Sequence, residues 1–337
     1  MNRTSSILFA AVAIMTAACS SSEHMTQGRS NTSAKADTFV VMSYNVENFF
    51  HCQDDSLKND DDFTPDGAYH WNYTKMEEKA QRIKKVIMAA NGHNYPAVVG
   101  LCEVEGLKAV NYLLYQSGLN QCGYKALCYP TPDRRGIAVA MLYDANRVTL
   151  IDSKAINVSI ADSSFLTRDV LYAKLQFETD TFHVFVNHWP SKYGGVNETI
   201  WKREHVARQL RSFCDSITSA DAQAKMILVG DFNDTAEAPA IADVFGAKSE
   251  GTDYINLSGD TESSSYKYRG DWGTIDHIIV SKNLCNVNRP LFKVCNLWFI
   301  EENDDRFGGL KPFRTYIGQE YHGGFSDHFP VLVKIIR

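Results

Sequence analysis

The chain has 337 residues, with 34 Lys and Arg against 40 Asp and Glu, a formal net charge of −6, and 44% hydrophobic and 12% aromatic residues. That composition belongs to a folded protein and excludes the disordered and fibrous classes. The acidic balance excludes a protein that coats nucleic acid through bulk positive charge, but not a hydrolase whose basic residues gather at one site.

In chain order, the first segment reads as an address. Arg3 precedes an apolar run from Ile7 to Ile14, and the small residues Thr16, Ala17 and Ala18 lead to Cys19. The run is too short to span a bilayer and fits a secretory signal. A Cys directly after small residues resembles a bacterial lipoprotein box, although Thr16 stands where such boxes usually carry Leu. The expectation is a signal peptide over 1–18, lipidation at Cys19 and a polar tether over 19–37. The protein would then be exported and anchored in the cell envelope, or secreted if Cys19 stays unmodified. No later run of about 18 apolar residues occurs, so membrane contact is expected only through Cys19. Seven further cysteines follow. Cys122 and Cys128, and Cys285 and Cys295, are near enough in sequence to bridge, although spacing does not decide pairing. Cys102 and Cys214 read as buried thiols. No CxxC pair is present, which argues against structural zinc.

Residues 38–337 read as one domain. Apolar, β-rich runs recur at Phe39–Tyr44, Ala97–Cys102, Ile137–Tyr143, Phe182–Asn187, Met226–Gly230, Ile275–Val280 and Val331–Ile335. They suit strands buried inside a layered α/β protein. Thr74 to Glu77 forms a capping-box pattern, with Ala80, Ile83, Val86, Ile87 and Ala90 following at helical spacing. A second helix is predicted from about Glu198 to Ile217, with Val206, Leu210, Phe213 and Ile217 on one face. Asp54–Trp71, rich in Asp, reads as a solvated loop rather than a calcium site. Leu297–Ile300 is a candidate for the exposed apolar hairpin that a membrane-lipid phosphodiesterase would want, but reads rather as a buried strand.

Polar groups stand where these runs end: Asn45, Glu103, Asn187 and His188, Asp231 with Asn233 and Asp234, Asp276 and His277, and Asp327 with His328. Functional groups of α/β sheets gather at one sheet edge. Carboxylates brought together there must bind a cation or share protons. Oxygen-rich ligands favour Mg²⁺, with Mn²⁺ or Ca²⁺ as substitutes, over zinc. A cation with open positions, a carboxylate to activate water and a His to meet a crowded oxyanion suit phosphoryl hydrolysis.

Ser43-Tyr-Asn45, Leu101-Cys-Glu103, Asn187-His188-Trp-Pro-Ser, Gly230-Asp231-Phe-Asn233-Asp234, Thr274-Ile-Asp276-His277 and Ser326-Asp327-His328 resemble, in order, the motifs of the endonuclease/exonuclease/phosphatase family. The resemblance spans about Phe39 to Ile336. It implies a deoxyribonuclease I-like α/β (α+β) fold: a four-layer sandwich of two packed mixed β-sheets flanked by helices. It further implies Glu103, Asn45 and Asp327 as metal ligands. Asp231 would serve the attacking water, Asn233 would support water and phosphate, and His188 would contact the phosphate. His328 would do likewise, with Asp276 holding its imidazole. Where many members place a Tyr or Arg near the phosphate, this chain has Arg135 and no Tyr. Arg168 and Lys192 are further candidates for substrate contact. A nuclease would draw on Arg134, Arg135, Arg168, Lys192, Lys202 and Arg203 as a basic track. The expected activity is a magnesium-dependent endonuclease or phosphodiesterase acting as a monomer on a phosphate ester, nucleic acid included. The alternatives are a phosphatase, a phospholipid or sphingomyelin phosphodiesterase, and an inactive surface binding protein.

Overall fold

The computed structural model of the protein describes residues 38–336 other than 93, 161–164, 260 and 262; the predicted signal, lipidation site and tether lie outside the described residues. In chain order the elements are β1 (Phe39–Phe49), α1 (Tyr73–Ala89), β2 (Val98–Glu105), α2 (Gly106–Gln116), β3 (Tyr124–Cys128), β4 (Ile137–Asp144), β5 (Val148–Ile156), β6 (Val170–Phe177), β7 (Asp180–His188), α3 (Val196–Ala220) and β8 (Lys225–Asp231). There follow β9 (Ala247–Lys248), β10 (Tyr254–Asn256), β11 (Tyr266–Tyr268), β12 (Asp271–Gly273), β13 (Asp276–Ser281), β14 (Leu291–Val294), β15 (Glu301–Asn303), β16 (Leu310–Pro312), β17 (Tyr316–Ile317), β18 (Glu320–Tyr321) and β19 (Val331–Ile335).

Two mixed sheets carry the fold. One has the order β14-β19-β1-β2-β4-β3 and the other β5-β6-β7-β8-β13-β10-β9. The β1–β2, β7–β8 and β9–β10 pairs are parallel, and the remaining pairs within the two sheets are antiparallel. Side chains that alternate along a strand must satisfy two different neighbours. In the second sheet Val184, Val186, Ile227, Val229, Ile278 and Val280 join the core shared with the first sheet. Their sequence neighbours Phe185, Met226, Leu228 and Ile279 join a separate core with Val206, Ala207, Leu210 and Cys214 of α3. Burial on both faces explains why these strands read as unbroken apolar runs. The sheets approach closely at Gly100, where a Cβ would lie 3.0 Å from the methyls of Val186 and Val229.

Helices α1 and α2 cover the first sheet through Met76, Ala80, Ile83, Val86 and Ile87, and through Ala109, Val110, Leu113 and Leu114. The capping-box reading of Thr74 is corrected. Asn72, extended at φ −134°, accepts the Lys75 N–H at 3.1 Å, so Thr74 already lies in the first turn. The structure extends the predicted second helix at both ends, to Val196–Ala220, and leaves Phe213 and Ile217 half-buried at its edge. Leu297–Ile300 is not a buried strand. Trp298–Ile300 is a single 3₁₀ turn that buries Ile300 and leaves Trp298 83% exposed. The loop over 54–71 holds, with one short turn at Asp61–Phe63. The seven cysteines from Cys52 to Cys295 are all free thiols, so neither of the two close pairs is bridged.

Candidate active site

Strand register assembles the site. Parallel pairing of β7 with β8 sets His188 beside Asp231, and antiparallel pairing of β13 with β8 sets Asp276 on the other side of Asp231. In the other sheet, β1 carries Asn45 toward β2, whose pairing with β4 slips between Cys102 and Val104. That irregularity re-aims Glu103, which takes the left-handed conformation at φ +63°. Asn233 is likewise left-handed, at φ +53°. Gly230 precedes Asp231 because its φ of +148° and a prospective Cβ only 2.0 Å from the Asn187 carbonyl admit no side chain.

These ends converge. The Asn45 amide donates from Nδ2 to Glu103 Oε1 at 3.2 Å and to Asp231 Oδ2 at 3.1 Å, while its Oδ1 accepts the Glu47 N–H at 3.0 Å. Glu103 Oε2 accepts the Asn48 N–H at 2.9 Å. His188 Nε2 lies 3.9 Å from Glu103 Oε1 and 3.8 Å from Asp231 Oδ2. Asp231 Oδ1 accepts the Asn233 N–H at 2.8 Å. His328 Nδ1 donates to Asp276 Oδ2 at 2.7 Å, and Ser265 Oγ donates to the same oxygen at 2.6 Å. His328 Nε2 then stands 4.0 Å from Asp231 Oδ2 and 3.9 Å from Asp327 Oδ1, and the Tyr266 and His328 rings lie with their centres 4.7 Å apart.

The two histidines carry opposite charge preferences. Burial pushes both toward the neutral form, but Asp276, Asp327 and Asp231 outweigh it at His328 and hold that imidazolium's pKa well above the usual value. At His188 burial is reinforced by Arg168, Arg135 and His328, so its pKa falls well below the usual range and the ring is neutral. Its Nδ1 is buried without a partner among the described residues. Burial is also the largest influence on Asp231; with Asp276 and Glu103 it outweighs His328 and the Asn233 N–H and pushes the carboxyl up to about 7.

A hard divalent cation suits this donor set. Glu103 is held by one amide and one backbone N–H, neither of which cancels its charge, and its side chain remains 22% exposed. Asn45 turns its N–H₂ rather than its oxygen toward the carboxylates, so in this rotamer it clamps Glu103 against Asp231. Asp327 Oδ2 is engaged by Arg314 at 3.0 Å. Among the described residues no three His, Cys, Asp or Glu side chains close around one point as a metal cage.

The basic candidates are engaged by carboxylates and carbonyls of the protein. Arg168 is buried and donates to the Trp189 carbonyl at 2.7 Å, with Asp133 3.4 Å away. Arg135 is half-exposed, 3.5 Å from Asp133. Both lie near enough to His188 to affect its proton. Lys192 pairs with Asp234 at 2.7 Å, and Arg203, fully buried, holds the same carboxylate at 2.9 Å. Of the six residues of the expected basic track, Arg168, Lys192 and Arg203 thus have partners within the protein. Asn233 Nδ2 donates to the Trp189 carbonyl at 3.0 Å, and His277 is spent on the Asp234 carbonyl at 2.9 Å. Ser265, Tyr266 and Arg314 were not singled out from the sequence. Ser265 and Tyr266 lie in a stretch without strong periodicity, and nothing local marks Arg314. Glu47 was also passed over, although its place two residues after Asn45 is a usable signal.

Two face-packed mixed sheets with a carboxylate–histidine site at their strand ends define the deoxyribonuclease I-like architecture. A family model described as the endonuclease/exonuclease/phosphatase family matches residues 40–337, and the chain belongs to that family. Members of this superfamily are phosphoester hydrolases that generally use divalent metals. Among solved structures, the chain is similar to a Bacteroides thetaiotaomicron mannosyl-6-phosphatase (TM-score 0.59, 15% identity, covering 89% of this chain and 100% of that one). It is also similar to a humanized Danio rerio TDP2 (0.54, 16%, 88% and 98%) and to the human Nocturnin catalytic domain with bound sulfate (0.53, 16%, 88% and 93%). At such identities the likeness is one of fold. A sequence search of curated proteins finds no match.

Proposed function

We propose that the protein is an exported, lipid-anchored, divalent-cation-dependent phosphoesterase that acts on compact phosphate esters rather than by tracking along a polynucleotide. The observation that carries the chemistry is the placing of His188 Nε2 and His328 Nε2 at 3.8 and 4.0 Å from Asp231 Oδ2, where burial favours a neutral His188 and the surrounding carboxylates a cationic His328. Asp231 accepts the proton of the attacking water, aligned by the Asn233 N–H on its other oxygen. His328, kept charged and oriented by Asp276, donates to an oxygen of the phosphoryl group as negative charge accumulates there. His188 contacts a second phosphoryl oxygen through Nε2. A cation on Glu103 would supply further charge stabilisation at the phosphate. The narrower substrate class is supported by the state of the basic residues, since Arg168 and Arg203 are buried and Lys192 is paired.

Release of product from sugar phosphates, inositol phosphates, bis-p-nitrophenyl phosphate, sphingomyelin, RNA, and plasmid and linear DNA, with Mg²⁺, Mn²⁺, Ca²⁺ or EDTA present, tests the proposal. EDTA-sensitive hydrolysis of small esters that His188→Ala abolishes is the expected result. Cutting of DNA in preference to the small esters would restore the endonuclease reading. Absence of any hydrolysis would favour an inactive binding protein.

A further inference from the structure

Beside the residues that serve the reaction lies a second group of charges. Glu47 is 4% exposed; its Oε2 accepts the Thr315 N–H at 2.7 Å and its Oε1 lies 3.3 Å from Arg314 Nε. The same guanidinium reaches Asp327 Oδ2 through Nη2 at 3.0 Å. Behind it Lys79, on α1 and fully buried, donates to Thr315 Oγ1 and the Phe325 carbonyl, and its ammonium supplies a second positive charge that acts on Glu47 and Asp327. A single guanidinium thus spans two carboxylates drawn from β1 and from the turn before β19.

Two carboxylates held at one partly buried edge call for positive charge between them. In many hydrolases of phosphate esters that charge is a second divalent cation about 4 Å from the first. A guanidinium meets the same need differently. It is planar, permanently charged and able to bond two acids through separate N–H groups. It cannot be washed out, and its fork fixes the direction of each acid it holds.

We propose that Arg314 is the built-in counter-cation of Glu47 and Asp327, filling the place of a second metal, so that the site takes one divalent cation, on the Glu103 side. The inference rests on the reading of Glu103 as a cation ligand. Arg314 is in this account a positioning residue. By holding Asp327 Oδ2 it leaves Oδ1 facing His328 Nε2 at 3.9 Å, where the carboxylate supports the imidazolium. Asp327 therefore serves His328, and the metal-ligand role that resemblance assigns to it passes to the Glu103 side.

Counting bound Mn²⁺ by equilibrium dialysis tests this without recourse to activity. The wild-type protein should bind one Mn²⁺ per chain, and Arg314→Gln should bind two. Arg314→Lys should keep one, because an ammonium still stands between the acids. Adding Glu47→Gln to Arg314→Gln should return the count to one, since the vacated position then has a single carboxylate. Circular dichroism confirms that each variant is folded. Two ions in the wild type, or one in folded Arg314→Gln, overturns the proposal. If Arg314→Gln does not fold, the wild-type count still decides, together with Arg314→Lys, where a second ion would also overturn it. Glu103→Gln separates the underlying reading: if it leaves the wild-type count unchanged, the assignment of Glu103 fails whatever Arg314 does.

Discussion

Replacing Asp231 with Asn should make the protein more stable and much less active at the same time. In the metal-free protein the Asp231 carboxyl is pushed up to about 7 from an ordinary value of 3.8, chiefly by burial. The folded chain therefore binds a proton more tightly than the unfolded chain does. Stability is lost as pH rises from about 4 to about 7, and the full penalty is present above that. Three units at about 1.4 kcal/mol each put its upper bound at about 4 kcal/mol. An amide of the same shape carries no charge to desolvate, although its N–H₂ must face the Asn45 N–H₂ in place of an accepting oxygen, which offsets part of the gain. In EDTA, Asp231→Asn should raise unfolding stability at pH 8 by roughly 1–4 kcal/mol, a gain that shrinks steadily toward pH 4. With metal and substrate supplied, kcat should fall by about 10²–10⁴, the usual worth of a positioned general base. Urea unfolding across pH and steady-state kinetics on the best ester of the panel measure both. Unchanged or reduced stability at pH 8 would refute the desolvation argument. Activity within threefold of wild type would remove Asp231 from the role of base.

Asp276→Asn should weaken the hold on the His328 proton, since the 2.7 Å contact loses its charge; the alkaline limb of the kcat profile should move to lower pH, and an unmoved limb would mean that another group sets it. Burial raises the thiol pKa of Cys102 well above its usual value and that of Cys214 likewise, so both should resist alkylation in the native protein at pH 8 while half-buried Cys122 reacts; mass spectrometry after a timed iodoacetamide pulse checks this. Asn72→Ala should cost about 1 kcal/mol of stability by removing the cap of α1, whereas Thr74→Ala should cost less, read from paired urea midpoints.

How much was legible in advance differs between fold and site. The strands at Phe39, Ile137, Phe182, Met226 and Val331 were readable because central strands buried on both faces must be apolar throughout. Strands β5 and β6 were not picked out, and β5 has Asp152, Ser153 and Lys154 interrupting any apolar run. Helix α2 escaped notice because it starts at Gly106 directly from β2, without a side-chain cap or acidic first turn to announce it. Thr74 misled because the capping-box pattern is local, whereas Asn72 won the cap through its extended backbone.

By itself the sequence determined that the chain folds as a layered α/β domain and that Asn45, Glu103, His188, Asp231, Asp276 and His328 lie in or beside its strands. Those facts depend on residue type and on position within a run, which are local properties. Charge state and partnership are not local. Only the tertiary structure decided that His188 is neutral and His328 charged, because burial, Arg168 and Asp276 reach them from distant parts of the chain. It likewise decided that Lys192 and Arg203 serve Asp234, and that Arg314 joins Glu47 to Asp327 across 267 and 13 residues of sequence. The tertiary fold brings Lys192 and Arg203 to Asp234, Arg314 to Glu47 and Asp327, and Asp276 to His328 within 4 Å, and at that distance in a buried site the electrostatics outweigh any preference written into a single residue.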